Sequence, residues 1–410
     1  MLRLPAAGGF NLDQELAKPD DPRPSMLKLL TIIGARPQII KAAALSRAIK
    51  TTYPTQIREV IVHTGQHYDQ QLSAVFFEEL QIPQPDYNLQ VGSGKHGEQT
   101  ARMISAIEVI LEAEKPHFVL LYGDTNSTLA GAIAASKSAV PIVHVEAGLR
   151  SFNKRMPEEI NRILSDHVST YLFPPTQTGL TNLLNEGFRA DNRPPYTQDN
   201  PGIFLAGDIM YDNCLFYSAL AAAQSRIVDT LHLEPNHYIL ATIHRNTNTD
   251  EADRLNAIFG ALQTLTSSYH IPLVMPLHPR TLKQMDALLT ADLYKDVQAN
   301  PFLRLIDPVS FLDMMQLEQQ AKLIITDSGG VQKEAFFFRK PCIILRAQTE
   351  WTEIVESGAA RLCDADPQRI LSAYTYFKQA PPVPFLPLYG EGKTAATIIE
   401  LLLETGANKD

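Results

Sequence analysis

The chain has 410 residues, 45% hydrophobic and 20% charged, with a formal net charge of −9 and a pI near 5.7. This composition fits a globular protein of about two domains rather than a disordered chain, and its acidity excludes the broad basic face that nucleic-acid binding needs while leaving room for a small anionic ligand. No run reaches the roughly 18 apolar residues of a membrane span, and Cys214, Cys342 and Cys363 match no zinc spacing, so a reducing, cytoplasmic setting without metal or membrane is expected.

Residues 1–25 lack the apolar core of a signal peptide and read as a flexible leader, with Met26 as an alternative start. From residue 27 short apolar runs alternate with amphipathic ones. LKLLTIIG (27–34), REVIVHTG, HFVLLYGD and PIVHVEAG read as buried strands. PQIIKAAALSRAIKTTY (37–53), YDQQLSAVFFEEL, QTARMISAIEVILEAEK and TLAGAIAASKSA read as the helices between them. This alternation predicts a doubly wound parallel sheet over 26–188. The Pro- and Asn-rich segment 189–202 reads as a linker. A second α/β domain is expected over 203–380, from IFLAG, HYILATIH, PLVMPLH, LRLIDPV, KLIITDSGG and PCIILR. Residues 381–410 end in the amphipathic TAATIIELLLETG, a helix that folds back. Two such domains imply a cleft lined by the carboxyl ends of both sets of strands.

GSGKHG (92–97) spells a dinucleotide fingerprint but follows only the weak strand PDYNLQV, and the acids beyond it lie on a helix, so a loop is expected and no nicotinamide cofactor. GARPQIIK (34–41) sits at the first strand-to-helix turn, where Arg36 and Lys41 would converge on an anion at a helix N-terminus; an exposed basic pair is the plain alternative. TDSGGVQKEA (326–335) is the matching turn of the second domain. There Ser328, Gly329 and Gly330 offer donors to a phosphate, and Glu334 can accept from ribose hydroxyls. Together the two turns point to a nucleoside diphosphate.

Asp124 and Glu146 close buried strands, where a carboxylate is an odd choice for packing alone, although Asp124 can also cap a helix. Glu158 follows Pro157 at a helix start, so dipole stabilisation and catalysis both account for it; Glu159 reads as structural. His244 and His278 close strands beside Arg245 and Arg280, and HTGQHYD (63–69) places His63, Gln66 and His67 at another strand end.

Taken in order, GARPQIIK, HTGQHYD, YGDTNST, HVEAGLR, PEEINR, IHR, PLHPRT and TDSGGVQKEA resemble the non-hydrolysing UDP-N-acetylglucosamine 2-epimerase family over about residues 27–405. The resemblance implies two Rossmann-like domains in a GT-B arrangement with an interdomain active site. It implies C2 inversion without NAD or any other cofactor, by anti elimination of UDP through a 2-acetamidoglucal and re-addition. Asp124, Glu146, Glu158 and His244 match the family's catalytic positions. Arg36, Lys41, Gln66, Ser328, Gly329, Gly330, Glu334 and Arg346 match positions that hold the UDP-sugar. A homodimer is what the resemblance implies for assembly.

The sequence departs from the usual pattern at Gln38 (Glu in GTRPE), at HRNT (244–247) for His-Arg-Arg-Glu, and at Trp351 for Arg in TEWTE. Those changes resemble a subgroup that includes 2-epimerases of UDP-2,3-diacetamido-2,3-dideoxyglucuronate. A GT-B glycosyltransferase, a hydrolysing epimerase and a nucleotide-sugar sensor are the rival readings.

Overall fold

The computed structural model describes residues 26–66, 83–379 and 383–406. The chain divides into two compact units, one running to Asn213 and taking up Tyr389 onward, the other spanning Cys214–Leu388. The first holds strands β1 (Leu27–Ile33), β2 (Ile57–His63), β3 (Tyr87–Asn88), β4 (Phe118–Tyr122), β5 (Ile142–Val145), β6 (Tyr171–Phe173) and β7 (Gly202–Ile203). All pair in parallel, in the order β3-β2-β1-β4-β5-β6-β7. The second holds β8 (Ile239–Thr242), β9 (Leu273–Pro276), β10 (Leu303–Ile306), β11 (Leu323–Thr326), β12 (Cys342–Ile344) and β13 (Ala360–Leu362). These too are parallel, in the order β10-β9-β8-β11-β12-β13.

Helices cover both faces of each sheet, so the central strands are buried on both sides and read as unbroken apolar runs. Leu29, Leu30, Ile32 and Ile33 in β1, all of β4, and Ile239–Ala241 in β8 are fully buried. Each unit has its own core, built on Ile32, Val119 and Ile107 in the first and on Ile239, Phe259 and Ile325 in the second. In each sheet the order reverses between two neighbouring strands, β1 and β4 in one, β8 and β11 in the other. A crevice opens outside the carboxyl ends of strands at such a reversal. The segments that follow those four strands carry Arg36, Asp124, His244 and Ser328.

The expected boundary at 189–202 is corrected. Gly202–Ile203 pairs with β6 in the first sheet, and the helix Ile209–Gln224 carries the chain across the division at Asn213. A two-residue edge strand followed by irregular chain has no periodicity to announce it. The helix Thr394–Gly406 packs in the first unit against the helix Arg36–Thr52, with Asp212 accepting from Thr394 N (3.1 Å) and Ala395 N (2.9 Å) and Tyr53 donating to Glu400 (3.0 Å). The expected leader, the helix read at YDQQLSAVFFEEL, and His67 lie outside the described residues. Residues 92–95 are irregular, His96 and Gly97 open the helix His96–Glu114, and a Cβ on Gly92, Gly94 or Gly97 would meet nothing within 4 Å, so GSGKHG lacks the close packing a fingerprint demands. Among the described residues no helix is long and apolar enough to cross a membrane.

Candidate active site

In the first unit two strand ends present carboxylates side by side. Glu146, one residue past β5, adopts a left-handed backbone (φ 72°), a conformation that costs a non-glycine residue on the order of 1–2 kcal/mol. Its amide donates to Phe173 O (3.0 Å), and its nearly buried carboxylate meets the ammonium of Lys41 from the helix Arg36–Thr52. Gly123, also left-handed (φ 61°), lies against this pair: a Cβ there would stand 3.1 Å from Lys41 Nζ and 3.2 Å from Glu146 Oε2. The next residue, Asp124, is held by the helix Pro157–His167, whose Arg162 reaches its Oδ2 at 2.5 Å while Asn161 donates to its carbonyl at 2.9 Å. Each carboxylate therefore sits at a strand end with one cation against it.

Glu158 and Glu159 have different surroundings. Glu158 is exposed in the first turn of that helix. Glu159 is buried and accepts from Ser151 N (2.8 Å), Phe152 N (2.9 Å) and Arg162 (2.9 Å). Burial raises its carboxyl, but those donors outweigh burial and hold the group below the usual carboxylate range. Neither Asp124 nor Glu146 is joined to Glu158 by a hydrogen bond among the described residues.

The first strand-to-helix turn differs from the expected anion cradle. Gln38 is buried, and its Oε1 accepts from Gly34 N (2.9 Å) and Ala35 N (3.2 Å), two amides that would otherwise face a ligand. Its Nε2 donates to Tyr122 O (3.0 Å) and Thr128 Oγ1 (2.9 Å), so one neutral amide ties the ends of β1 and β4 with both donors and its acceptor in use. Arg36 is exposed at the first helical residue. Lys41 pairs with Glu146. Gln66 spends its Oε1 on Ser127, accepting from the amide (3.0 Å) and the hydroxyl (2.7 Å). His63 is buried, and burial lowers its basicity.

In the second unit the fully buried Asp327 organises both strand ends. It accepts from His244 N (3.1 Å), Arg245 N (3.0 Å) and Asn248 Nδ2 (3.1 Å), leaving the His244 side chain exposed at the end of β8. Ser328 caps the helix Gly329–Phe337, and the amides of Gly329 and Gly330 open its first turn, where amides have no intrahelical partner. Trp351 Nε1 donates to Gly329 O (3.0 Å), and Lys333 lies 4.2 Å from the indole centre. Burial pushes the Glu334 carboxyl up to about 7 against the pull of Lys333. Arg346 pairs with Glu350 (2.8 Å) and lines a cavity of about 290 Å³ with Arg245, Arg254, Glu251 and Asp364. His278 caps the helix Pro279–Leu288 by accepting from Arg280 N (3.3 Å), and Arg280 pairs with Asp250, which gives both residues structural work.

Sequence reading passed over Arg162, Asn161, Asp327, His144 and Asp166. Arg162 was findable, three and four residues from two glutamates on one helix face. Asp327 directly precedes the serine of the glycine-rich turn. His144 and Asp166 meet only through the tertiary fold.

The sequence model described as UDP-N-acetylglucosamine 2-epimerase matches residues 50–403. A UDP-N-acetylglucosamine 2-epimerase homolog of Methanococcus maripaludis is 46% identical over 377 residues, 92% of this chain and 99% of that one. The UDP-2,3-diacetamido-2,3-dideoxy-D-glucuronate 2-epimerase of Pseudomonas aeruginosa is 47% identical over 376 residues, with the same shares covered. The crystal structure of Methanocaldococcus jannaschii UDP-GlcNAc 2-epimerase in complex with UDP-GlcNAc and UDP aligns with a TM-score of 0.75 at 39% identity, covering 92% of this chain and all of that one.

Proposed function

The chain belongs to the UDP-N-acetylglucosamine 2-epimerase family, and from that membership we propose that it interconverts the C2 epimers of UDP-N-acetylglucosamine and UDP-N-acetylmannosamine. In this reading UDP leaves C1 with the C1–O electron pair. The C2 proton passes to a carboxylate, and the C2–H pair becomes the C1=C2 bond of a 2-acetamidoglucal. UDP then re-adds while a proton reaches C2 from the opposite face.

The supporting observation is the pair of strand-end carboxylates, Asp124 and Glu146, each beside a cation, with Glu146 kept in a strained backbone. Proton transfer on two faces needs two such groups. Glu158 is the third candidate in the same role. The C2 hydrogen is acidic only as C1–O cleavage develops, so the departing diphosphate must be stabilised. That role falls to Arg36, Lys41, His244 and the Ser328–Gly329–Gly330 turn, with Glu334 on the ribose, Gln66 and Arg346 completing the substrate contacts. The reading includes a cytoplasmic homodimer; light scattering checks the dimer.

The relative from Pseudomonas aeruginosa supports a second substrate for the same chemistry, UDP-2,3-diacetamido-2,3-dideoxyglucuronate. Incubation with each UDP-sugar in deuterated water, followed by NMR, separates the readings: deuterium at C2 together with the C2 epimer identifies the substrate. Free sugar and UDP would instead mean hydrolysis, and transfer only on adding an acceptor would mean a glycosyltransferase. Asp124→Asn and Glu146→Gln should each lower turnover by roughly 10²–10⁴ with UDP affinity retained; normal turnover in either variant removes that residue from the mechanism.

A further inference from the structure

Behind the two carboxylates lies a buried polar chain that the proposed reaction does not use directly. His144 in β5 is fully buried, with Nε2 2.8 Å from Gly123 O and Nδ1 2.7 Å from Asp166 Oδ1. A carbonyl can only accept, so Nε2 carries the hydrogen and the ring orientation is fixed. Asp166, also fully buried, uses its other oxygen for Gly148 N (3.0 Å) and Arg150 (2.8 Å). Arg150 continues to Glu186 in a two-pronged pair (2.6 and 2.7 Å). Asp166 and Arg150 thus form a fully buried ion pair, with His144 bonded to its inner end and Glu186 at its outer, solvent-reaching end, at a desolvation cost that packing alone does not require. The contacts they select are specific. One end grips the carbonyl immediately before Asp124, and the other grips the backbone two residues after Glu146. Asp166 belongs to the same helix that supplies Arg162 and Asn161 to Asp124.

We propose that His144 and Asp166 are positioning residues: they lock the Gly123–Asp124 turn and the Glu146–Gly148 turn into one register, so that two carboxylates from separate strands address the same sugar carbon. This inference rests on the epimerase reading for its catalytic consequence, and on geometry alone for the locking. Misplacing a catalytic group by about 1 Å can cost on the order of 10²-fold without weakening substrate binding.

The test compares His144→Gln, whose amide nitrogen can stand where Nε2 stood, with His144→Asn, which reaches only the Asp166 side. In the full-length protein His144→Asn should lower kcat tenfold or more with KM and UDP affinity within about twofold, and His144→Gln should recover most of the loss. Hydrogen–deuterium exchange should show faster exchange in segments 122–126 and 146–150 for His144→Asn but not for His144→Gln. Unchanged exchange in both segments, or a kcat for His144→Asn within twofold of wild type, overturns the proposal. So does an equal loss of kcat and melting temperature in both variants, because that is what a purely structural histidine predicts. If wild type turns over no UDP-sugar, the epimerase reading fails, and the exchange data still decide whether the lock exists.

Discussion

Replacing Glu159 by glutamine should destabilise the protein by about 2–4 kcal/mol, whereas the same change at Glu158 should leave stability within about 0.5 kcal/mol and remove activity. Glu159 Oε2 serves Ser151 N and Arg162, and Oε1 serves Phe152 N. Glutamine offers one acceptor oxygen, so its NH₂ must face one of those donors; an unsatisfied donor costs about 1–3 kcal/mol and the weakened bond to Arg162 about 1 more. For a domain of this size that amounts to roughly 4–16 °C in Tm. The pH dependence carries its own sign. The folded Glu159 carboxyl lies below its unfolded value near ~4.3, so its stabilisation is complete above that value and disappears as pH falls through the folded one. The gap between wild type and Glu159→Gln should therefore be full at pH 7 and begin to narrow only below the unfolded value near ~4.3. Thermal melts at pH 7 and below that value, with C2 exchange measured alongside, provide the assay. A Glu159→Gln melt within a degree of wild type at pH 7, or equal destabilisation by Glu158→Gln, would refute the division of labour between these neighbours.

Glu334 should behave in the opposite sense. Its folded carboxyl is pushed up to about 7, above the unfolded value near ~4.3, so its ionisation erodes stability between those values. Glu334→Gln should raise Tm at pH 8, lose that advantage near pH 4, and weaken UDP binding by calorimetry; a Tm at pH 8 no higher than wild type sinks the argument. Trp351→Phe removes the bond to Gly329 O but keeps a ring for Lys333. UDP affinity should fall about 2–10-fold, and unchanged affinity would show that the indole N–H does not organise the glycine-rich turn.

The central strands were legible because burial on both faces leaves only apolar residues, as in LKLLTII and FVLLY. The weak points were short strands at or next to a sheet edge. Tyr171–Phe173 and Ala360–Leu362 are three residues each, too brief for periodicity to mark, and Gly202–Ile203 straddles the expected linker end and second-domain start while pairing in the first sheet. Among the candidate site residues, placement at strand ends was readable for Asp124, Glu146 and His244. Partnership was not. The sequence sets Lys41 near a phosphate with Arg36 but gives no sign that the fold also pairs it with Glu146. The capture of Gly34 and Ala35 amides by Gln38 depends on a rotamer that sequence does not encode. The left-handed backbone of Glu146 likewise goes with tertiary bonds to Phe173 and Lys41 that local sequence does not announce.

The division of the chain has a consequence for biosynthesis. The first unit is assembled from two stretches separated by the whole of the second, and its helix Thr394–Gly406 is anchored through Asp212 and Tyr53. During translation that unit waits, one helix short, while about 175 residues of Cys214–Leu388 emerge and fold. The surface of the helix Arg36–Thr52 that the late helix covers stays open for that interval, on the order of 10–40 s at ordinary elongation rates. A nascent chain stalled before Thr394 would therefore present a nearly finished parallel sheet with an uncovered flank, a natural substrate for a ribosome-associated chaperone.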